Sequence, residues 1–273
     1  MEHKELSFGY QTASYDEIFP DRILTEKNFG GELGFVAGFA LTRKELEIAK
    51  DAILEHLVKN VSKISHDAGI ALTQNGLKNY HIAVDDELHK KCLSKENRTL
   101  APSLSKRILK SEFFQYIKEL VGDYELADEE GRGFEQICFR VCRPNKSSDV
   151  GSIHCDTWFW DYHGFNLKPG YGRFKVWFQI EGNPQSSGLL LVPNSHKHPQ
   201  EYKVIQANNK LEFIRENSNC TDNLCAFTEP LGTPVMFNHD LLHGGQINTG
   251  DICRISFELT VIFRETHEPK TAL

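Results

Sequence analysis

Nowhere in its 273 residues does the chain hold an apolar run approaching the ~20 residues that cross a bilayer, so no membrane partner is expected. Met1-Glu2-His3-Lys4-Glu5 is charged and has no apolar run behind it; no signal peptide is expected there, and the expected setting is the cytoplasm. An excess of positive charge is also missing. Lys and Arg number 31 against 38 Asp and Glu, a net charge of -7. Phosphate backbones are bound by clustered Lys and Arg, so nucleic acid is not expected as a partner. An anionic small molecule is not excluded, because one pocket arginine can hold it. The seven cysteines (92, 138, 142, 155, 220, 225, 253) are odd in number and follow no disulfide framework. Neither Cys138/Cys142 nor Cys220/Cys225 has the two-residue spacing of a zinc knuckle, so they read as buried or idle thiols. With no internal repeat, low-complexity tract or linker, residues 1–273 are expected to form one domain.

What is present divides by texture. The first ~30 residues read as an irregular arm. A short strand is expected over 34–39. Thr42-Arg43-Lys44-Glu45 then has the capping-box pattern, in which the Thr hydroxyl and Glu carboxylate satisfy the free N–H groups that open a helix. Leu46, Ala49, Ile53, Leu57 and Val61 follow at helical spacing. A second helical region is expected over 105–121, stopped by Gly122. Beyond 130 the pattern turns to strands over 134–143, 173–180, 188–192, 234–237 and 252–263. In the first of these, Ile137, Phe139 and Val141 alternate with Cys138, Arg140 and Cys142. The expected division is a mostly helical support over 1–130 and a β core over 131–265, with helices packed outside a sandwich or barrel.

The chemistry-bearing feature is Ile153-His154-Cys155-Asp156-Thr157. On a strand or strand end, His154 and Asp156 project to one side, because side chains alternate with period two. With a distant second histidine they make the facial triad that suits Fe(II) and leaves open coordination positions. Alone, the triplet reads as a surface pair in a loop. The distal stretch alters that: His243-Gly244-Gly245 lies between two strand candidates, and Arg254-Ile255-Ser256 follows. Arg254, Ser256 and Glu258 share one strand face, and Cys253, Ile255, Phe257 and Leu259 the other. An arginine in so apolar a strand is costly unless paired. A ligand carboxylate met by its planar fork, a protein acid, or an escape to the barrel rim would each satisfy it.

Four ordered segments together carry a family resemblance. They are Gly34-Phe35-Val36 with the capped helix, His154-Cys155-Asp156, the stretch from Lys175-Val176-Trp177 to Pro193-Asn194-Ser195-His196, and His243-Gly244-Gly245 with Arg254-Ile255-Ser256. The chain resembles the phytanoyl-CoA dioxygenase family of Fe(II)/2-oxoglutarate oxygenases, with Asn194 where that family usually has Gly. The resemblance implies a mainly β fold with flanking α-helices, a double-stranded β-helix (a jelly-roll, cupin-like barrel). It implies Fe(II) on His154, Asp156 and His243, and 2-oxoglutarate bound by Arg254 with Ser256 assisting and Trp177 lining the pocket. It also implies consumption of O2, with succinate and CO2 released as a small-molecule C–H bond is hydroxylated or otherwise oxidised. Ser195 and His196 are expected to be structural.

Three other readings compete. His239-Asp240-Leu241-Leu242-His243 superficially matches a zinc-protease helix, but Pro234 and Asn238 precede it and Gly244-Gly245 cuts it off. A non-oxidative jelly-roll metal-binding protein or isomerase has no need for both the triad and Arg254. Halogenases of this kind lack the carboxylate ligand, whereas Asp156 is present. The aromatic run Trp158, Phe159, Trp160, Tyr162 and Phe165 fits equally a packed barrel mouth or a substrate lid. No cluster of Lys and Arg suggests a CoA-phosphate site, which favours a small soluble metabolite or biosynthetic intermediate.

Overall fold

The computed structural model describes residues 4–5, 31–198, 200–207, 210–215 and 223–265. Almost all of the expected N-terminal arm, and Cys220, lie outside these residues.

Thr42 forms the expected capping box with Glu45, and helix α1 runs over Arg43–Ser62. Its buried face carries Ala49, Ala52, Ile53, Leu57 and Val61, the spacing that brings one stripe of a helix onto a core. Helices α2 (His66–Asn75), α3 (Tyr80–Ala83) and α4 (Asp86–Cys92) follow. The expected helix over 105–121 is two: α5 (Pro102–Ile108) and α6 (Glu112–Val121). The break falls where Ser111 takes an extended conformation as the N-cap of α6, and Gly122 ends α6 as expected.

Six strands form the larger sheet: β2 (Phe35–Ala37), β10 (Pro234–Phe237), β5 (Tyr171–Glu181) and β12 (Arg254–Arg264) in that order, with β3 (Tyr124–Leu126) and β4 (Cys138–Cys142) both pairing with β12. The smaller sheet has the order β1 (Lys4–Glu5), β9 (Cys225–Phe227), β6 (Leu189–Leu191), β11 (His243–Gly245). A separate hairpin pairs β7 (Tyr202–Ala207) with β8 (Lys210–Arg215). Sequence reasoning did not anticipate this hairpin, nor strands β3, β9 and β11.

Period-two alternation gives the larger sheet two different faces. Phe174, Val176, Phe178 and Ile180 of β5 and Ile255, Phe257, Leu259 and Val261 of β12 join Phe139, Val141 and Met236 in one core with the helices. Phe178 stacks on Phe257 at 4.6 Å and meets the edge of Phe113 from α6 at 4.9 Å. The opposite face carries Trp177, Val235 and Phe237, which pack on Leu189, Leu191, Cys225 and Phe227 of the smaller sheet. Two facing sheets with helices buttressing one of them make a jelly-roll, the expected fold class. Only one part of the space between the sheets is filled this way; the rest of that face of the larger sheet is polar.

Burial beneath the helices also sets an acid response. His89 lies edge-on to Tyr80, and burial pushes its pKa down to about 4 from 6.5. The unfolded chain therefore takes up this proton first, so His89's contribution to stability is complete above about pH 6.5 and is lost as pH falls through 4. Urea unfolding followed from pH 7 to 4 is expected to fall less steeply in His89→Gln than in the parent; an equal slope would assign the acid sensitivity elsewhere.

Candidate metal and cosubstrate site

His154 and His243 form an antiparallel backbone pair outside the main ladders, exchanging N–H···O=C bonds of 2.9 and 2.8 Å. Directly paired residues present their side chains side by side, and the two imidazole centroids lie 4.6 Å apart. Each ring is oriented through Nδ1, which meets the Ser152 carbonyl at 2.8 Å in His154 and the Leu241 carbonyl at 2.9 Å in His243. A carbonyl only accepts, so each Nδ1 carries the proton and each Nε2 keeps its lone pair, the arrangement a metal-ligating histidine needs. Burial pushes both imidazoles down to about 4, so both are neutral near pH 7. Upstream of His154, Asp149 accepts from Arg143 Nε at 2.7 Å and Nη2 at 2.8 Å.

Asp156 departs from expectation in its backbone. It does not sit on a strand with His154; it is the first residue of helix α7 (Asp156–His163). Its amide donates to the His239 carbonyl at 3.0 Å, which turns the carboxylate toward the two histidines. Oδ2 lies 3.9 Å from His243 Nε2, and one ligand atom from each of the three residues falls within 4.8 Å of the others. That Oδ2 is buried with no hydrogen-bond partner among the described residues. Two neutral imidazole lone pairs and an unpaired buried carboxylate oxygen around one point fit a divalent cation.

Arg254 is 1% exposed and Ser256 equally buried, on the polar face of the larger sheet. Arg254 Nη1 donates to the carbonyls of Ser187 (3.0 Å) and Gly188 (3.1 Å), and Nη2 donates to Cys142 Sγ. Its Nε, Ser256 Oγ and Gln179 Oε1 are buried without partners among the described residues. Gln179 is the cross-strand neighbour of Ser256. These unpaired groups on adjoining strands fit a polar ligand such as a carboxylate. Trp177, opposite Glu258 in the ladder, packs into the apolar cluster between the sheets. Gly188 cannot be enlarged here, because a Cβ would come within 2.4 Å of the Phe227 carbonyl. Gly188→Ala is therefore expected to displace the carbonyls that orient Arg254; on the expectation that Arg254 meets 2-oxoglutarate, affinity for it should fall about tenfold, the loss of roughly one charge-assisted hydrogen bond. Unchanged affinity in a folded variant would separate this turn from the arginine.

Three charged residues on the same face were not picked out as site residues. Arg140 Nη2 donates to Glu258 Oε1 at 3.1 Å, across the β4–β12 ladder. Lys175 Nζ lies 3.2 Å from Glu129 Oε1 and 3.8 Å from Asp156 Oδ1. Burial opposes the charge on Glu258, yet Arg140 and Lys175 hold its pKa at about 2. The available signal was a lysine and a glutamate at interior positions of otherwise apolar strands.

Several other expectations concern this region. The zinc-protease reading fails in its geometry, because 239–243 runs through a turn into β11 and forms no helix. Ser195 Oγ accepts from the Leu242 amide at 2.8 Å, a structural contact behind the second histidine. The aromatic run splits. Trp158, stacked on Tyr202 at 5.1 Å, and Trp160, under the Arg173 guanidinium at 3.7 Å, are buried. Tyr162 and Phe165 are exposed, and Tyr162 meets Phe213 of the β7–β8 hairpin at 5.7 Å.

A search of curated protein sequences finds no match. Among solved structures, the apo form of the non-heme monooxygenase ThoJ is similar at 15% identity and a TM-score of 0.52, covering 93% of this chain and 81% of its own. AviO1 from Streptomyces viridochromogenes Tue57 is similar at 14% identity and a TM-score of 0.51, covering 98% of this chain and 100% of its own. Apo EctD from S. alaskensis has 14% identity and a TM-score of 0.51, over 98% of this chain and 83% of its own. At such identities these likenesses speak for the fold. The family model for phytanoyl-CoA dioxygenase (PhyH) matches residues 34–256, which hold all three converging side chains and both Arg254 and Ser256. The chain belongs to the phytanoyl-CoA dioxygenase family of Fe(II)- and 2-oxoglutarate-dependent oxygenases.

Proposed function

We propose that His154, Asp156 and His243 hold Fe(II), that Arg254 and Ser256 bind the far carboxylate of 2-oxoglutarate beside Trp177, and that the enzyme oxidises a C–H bond of a small molecule. The observation that carries this reading is the orphaned Asp156 Oδ2 beside two imidazoles whose Nδ1 atoms are already committed to carbonyls. The metal, when bound, supplies activation of O2 at the expense of 2-oxoglutarate, which leaves as succinate and CO2. The protein's own residues do the rest. The Ser152 and Leu241 carbonyls fix the ring orientations, and the Ser187 and Gly188 carbonyls aim Arg254. Lys175 lies beside Asp156 Oδ1, on the side of the carboxylate away from the unpaired oxygen. Trp158 packs in one apolar cluster with Cys155 and Leu242, the chain neighbours of the triad residues, and Trp160 lies beside His239.

The test is succinate formation from 2-oxoglutarate under air, followed by NMR with a panel of small metabolites. Succinate that requires added Fe(II), and that rises with at least one panel member as its oxidised product appears, is the expected result. Isomerisation of a panel member with no succinate formed would favour a non-oxidative jelly-roll enzyme.

A further inference from the structure

Near Arg140 and Glu258, the Nε of Arg98 is buried without a hydrogen-bond partner among the described residues. Arg98 closes the short 3-10 turn Glu96–Arg98, and the next residue, Thr99, bridges to Cys138 at the start of β4. This tethers Arg98 beside the strand that carries Arg140. Its Nε is buried without a hydrogen-bond partner, and its guanidinium makes no ion pair among the described residues. Burial and then the neighbouring charge of Arg140 lower its pKa, so the two guanidiniums repel where they stand. Arg140 is only partly satisfied: Glu258 meets its Nη2, and its side chain stays 38% accessible although it projects from the interior face of the sheet. It therefore lines a space that solvent or a ligand can reach.

The acids nearest the two arginines are already engaged: Glu258 meets Arg140 at 3.1 Å, and Glu129 meets Lys175 at 3.2 Å. Glu130, the next acid outward, is already shared by Lys95 at 3.1 Å and Arg132 at 3.9 Å. Two adjacent arginines, one of them unpaired, suit an oxyanion group such as a carboxylate or phosphate, whose oxygens accept from both forks.

We propose that Arg98 and Arg140 form a substrate-recognition site for an anionic group, so that the substrate of this oxygenase is an organic acid or a phosphorylated metabolite. The proposal rests on the Fe(II)/2-oxoglutarate reading above and adds the substrate class to it. Holding the acid group at this pair would also fix which C–H bond of the substrate faces the metal.

The test uses the full chain, loaded anaerobically with Fe(II) and saturating 2-oxoglutarate, with methylphosphonate as the probe. Phosphorus NMR reads its approach to the paramagnetic metal as line broadening, and the visible charge-transfer band of the same sample reads the bound cosubstrate. Saturable broadening is expected in the parent protein, with affinity falling about tenfold or more in Arg98→Met and less in Arg98→Lys, while the band is unchanged. No broadening in a parent sample that shows the band would overturn the proposal and leave the oxygenase reading intact. Loss of the band in Arg98→Met at the same 2-oxoglutarate concentration would also overturn it, because the arginine would then belong to the cosubstrate. A parent sample without the band would count against the oxygenase reading itself, and with it this proposal.

Discussion

Asp156→Ala is expected to reduce succinate formation by more than about a hundredfold, to the level of protein-free Fe(II). Loss of residues that merely orient ligands costs 10- to 100-fold in related sites, and a ligand should cost more. The argument rests on convergence from three parts of the chain. His154 and His243 are held by each other's backbone, and Asp156 is aimed by the His239 carbonyl at the head of α7. Removing the carboxylate leaves this scaffold intact, so the variant should fold with the parent's circular dichroism. His154→Ala is expected to lose activity to the same degree. Near-parental turnover in either folded variant would remove these residues from the metal site.

Arg254 should behave differently, because its guanidinium has two tasks. Nη1 is spent on the Ser187 and Gly188 carbonyls, and Nε is the group left for a ligand. Arg254→Met should raise the KM for 2-oxoglutarate by about 10- to 100-fold and also lower stability, since two buried carbonyls lose their donor. Arg254→Lys separates the two effects. It keeps the charge but cannot span both carbonyls and a carboxylate, so cosubstrate affinity should fall about tenfold with a smaller loss of stability. The check is KM for 2-oxoglutarate beside urea unfolding for both variants. A stability loss with unchanged KM would make Arg254 purely structural.

The two variants draw on features that were unequally legible in the sequence. Arg254 stood out because a charge in an apolar strand has to be explained, and it follows His243 by eleven positions. The helix cap at Thr42 and the alternation around Phe139 and Val141 are local signals, and local structure followed them. Asp156 was picked out on a period-two geometry that the chain does not keep, because it turns into a helix there, yet its carboxylate still converges with the two histidines. The break at Ser111 was missed because apolar spacing continues across it. Arg140, Lys175, Glu258 and Arg98 were not identified, because each acquires its meaning from partners distant in sequence: Arg140 and Glu258 are 118 residues apart, and Lys175 and Glu129 are 46 apart. Pairings of that kind are set by sheet register, which the alternation of a single strand does not reveal.

The most direct test of the central claim is anaerobic titration of the apo-protein with Fe(II) and 2-oxoglutarate, watched in the visible range for the weak metal-to-ligand charge-transfer band of the chelate. The band should appear with one iron bound, and should be lost in His154→Ala and weakened in Arg254→Met at the same cosubstrate concentration. A folded parent protein that binds Fe(II) and 2-oxoglutarate without the band, or not at all, would contradict the account.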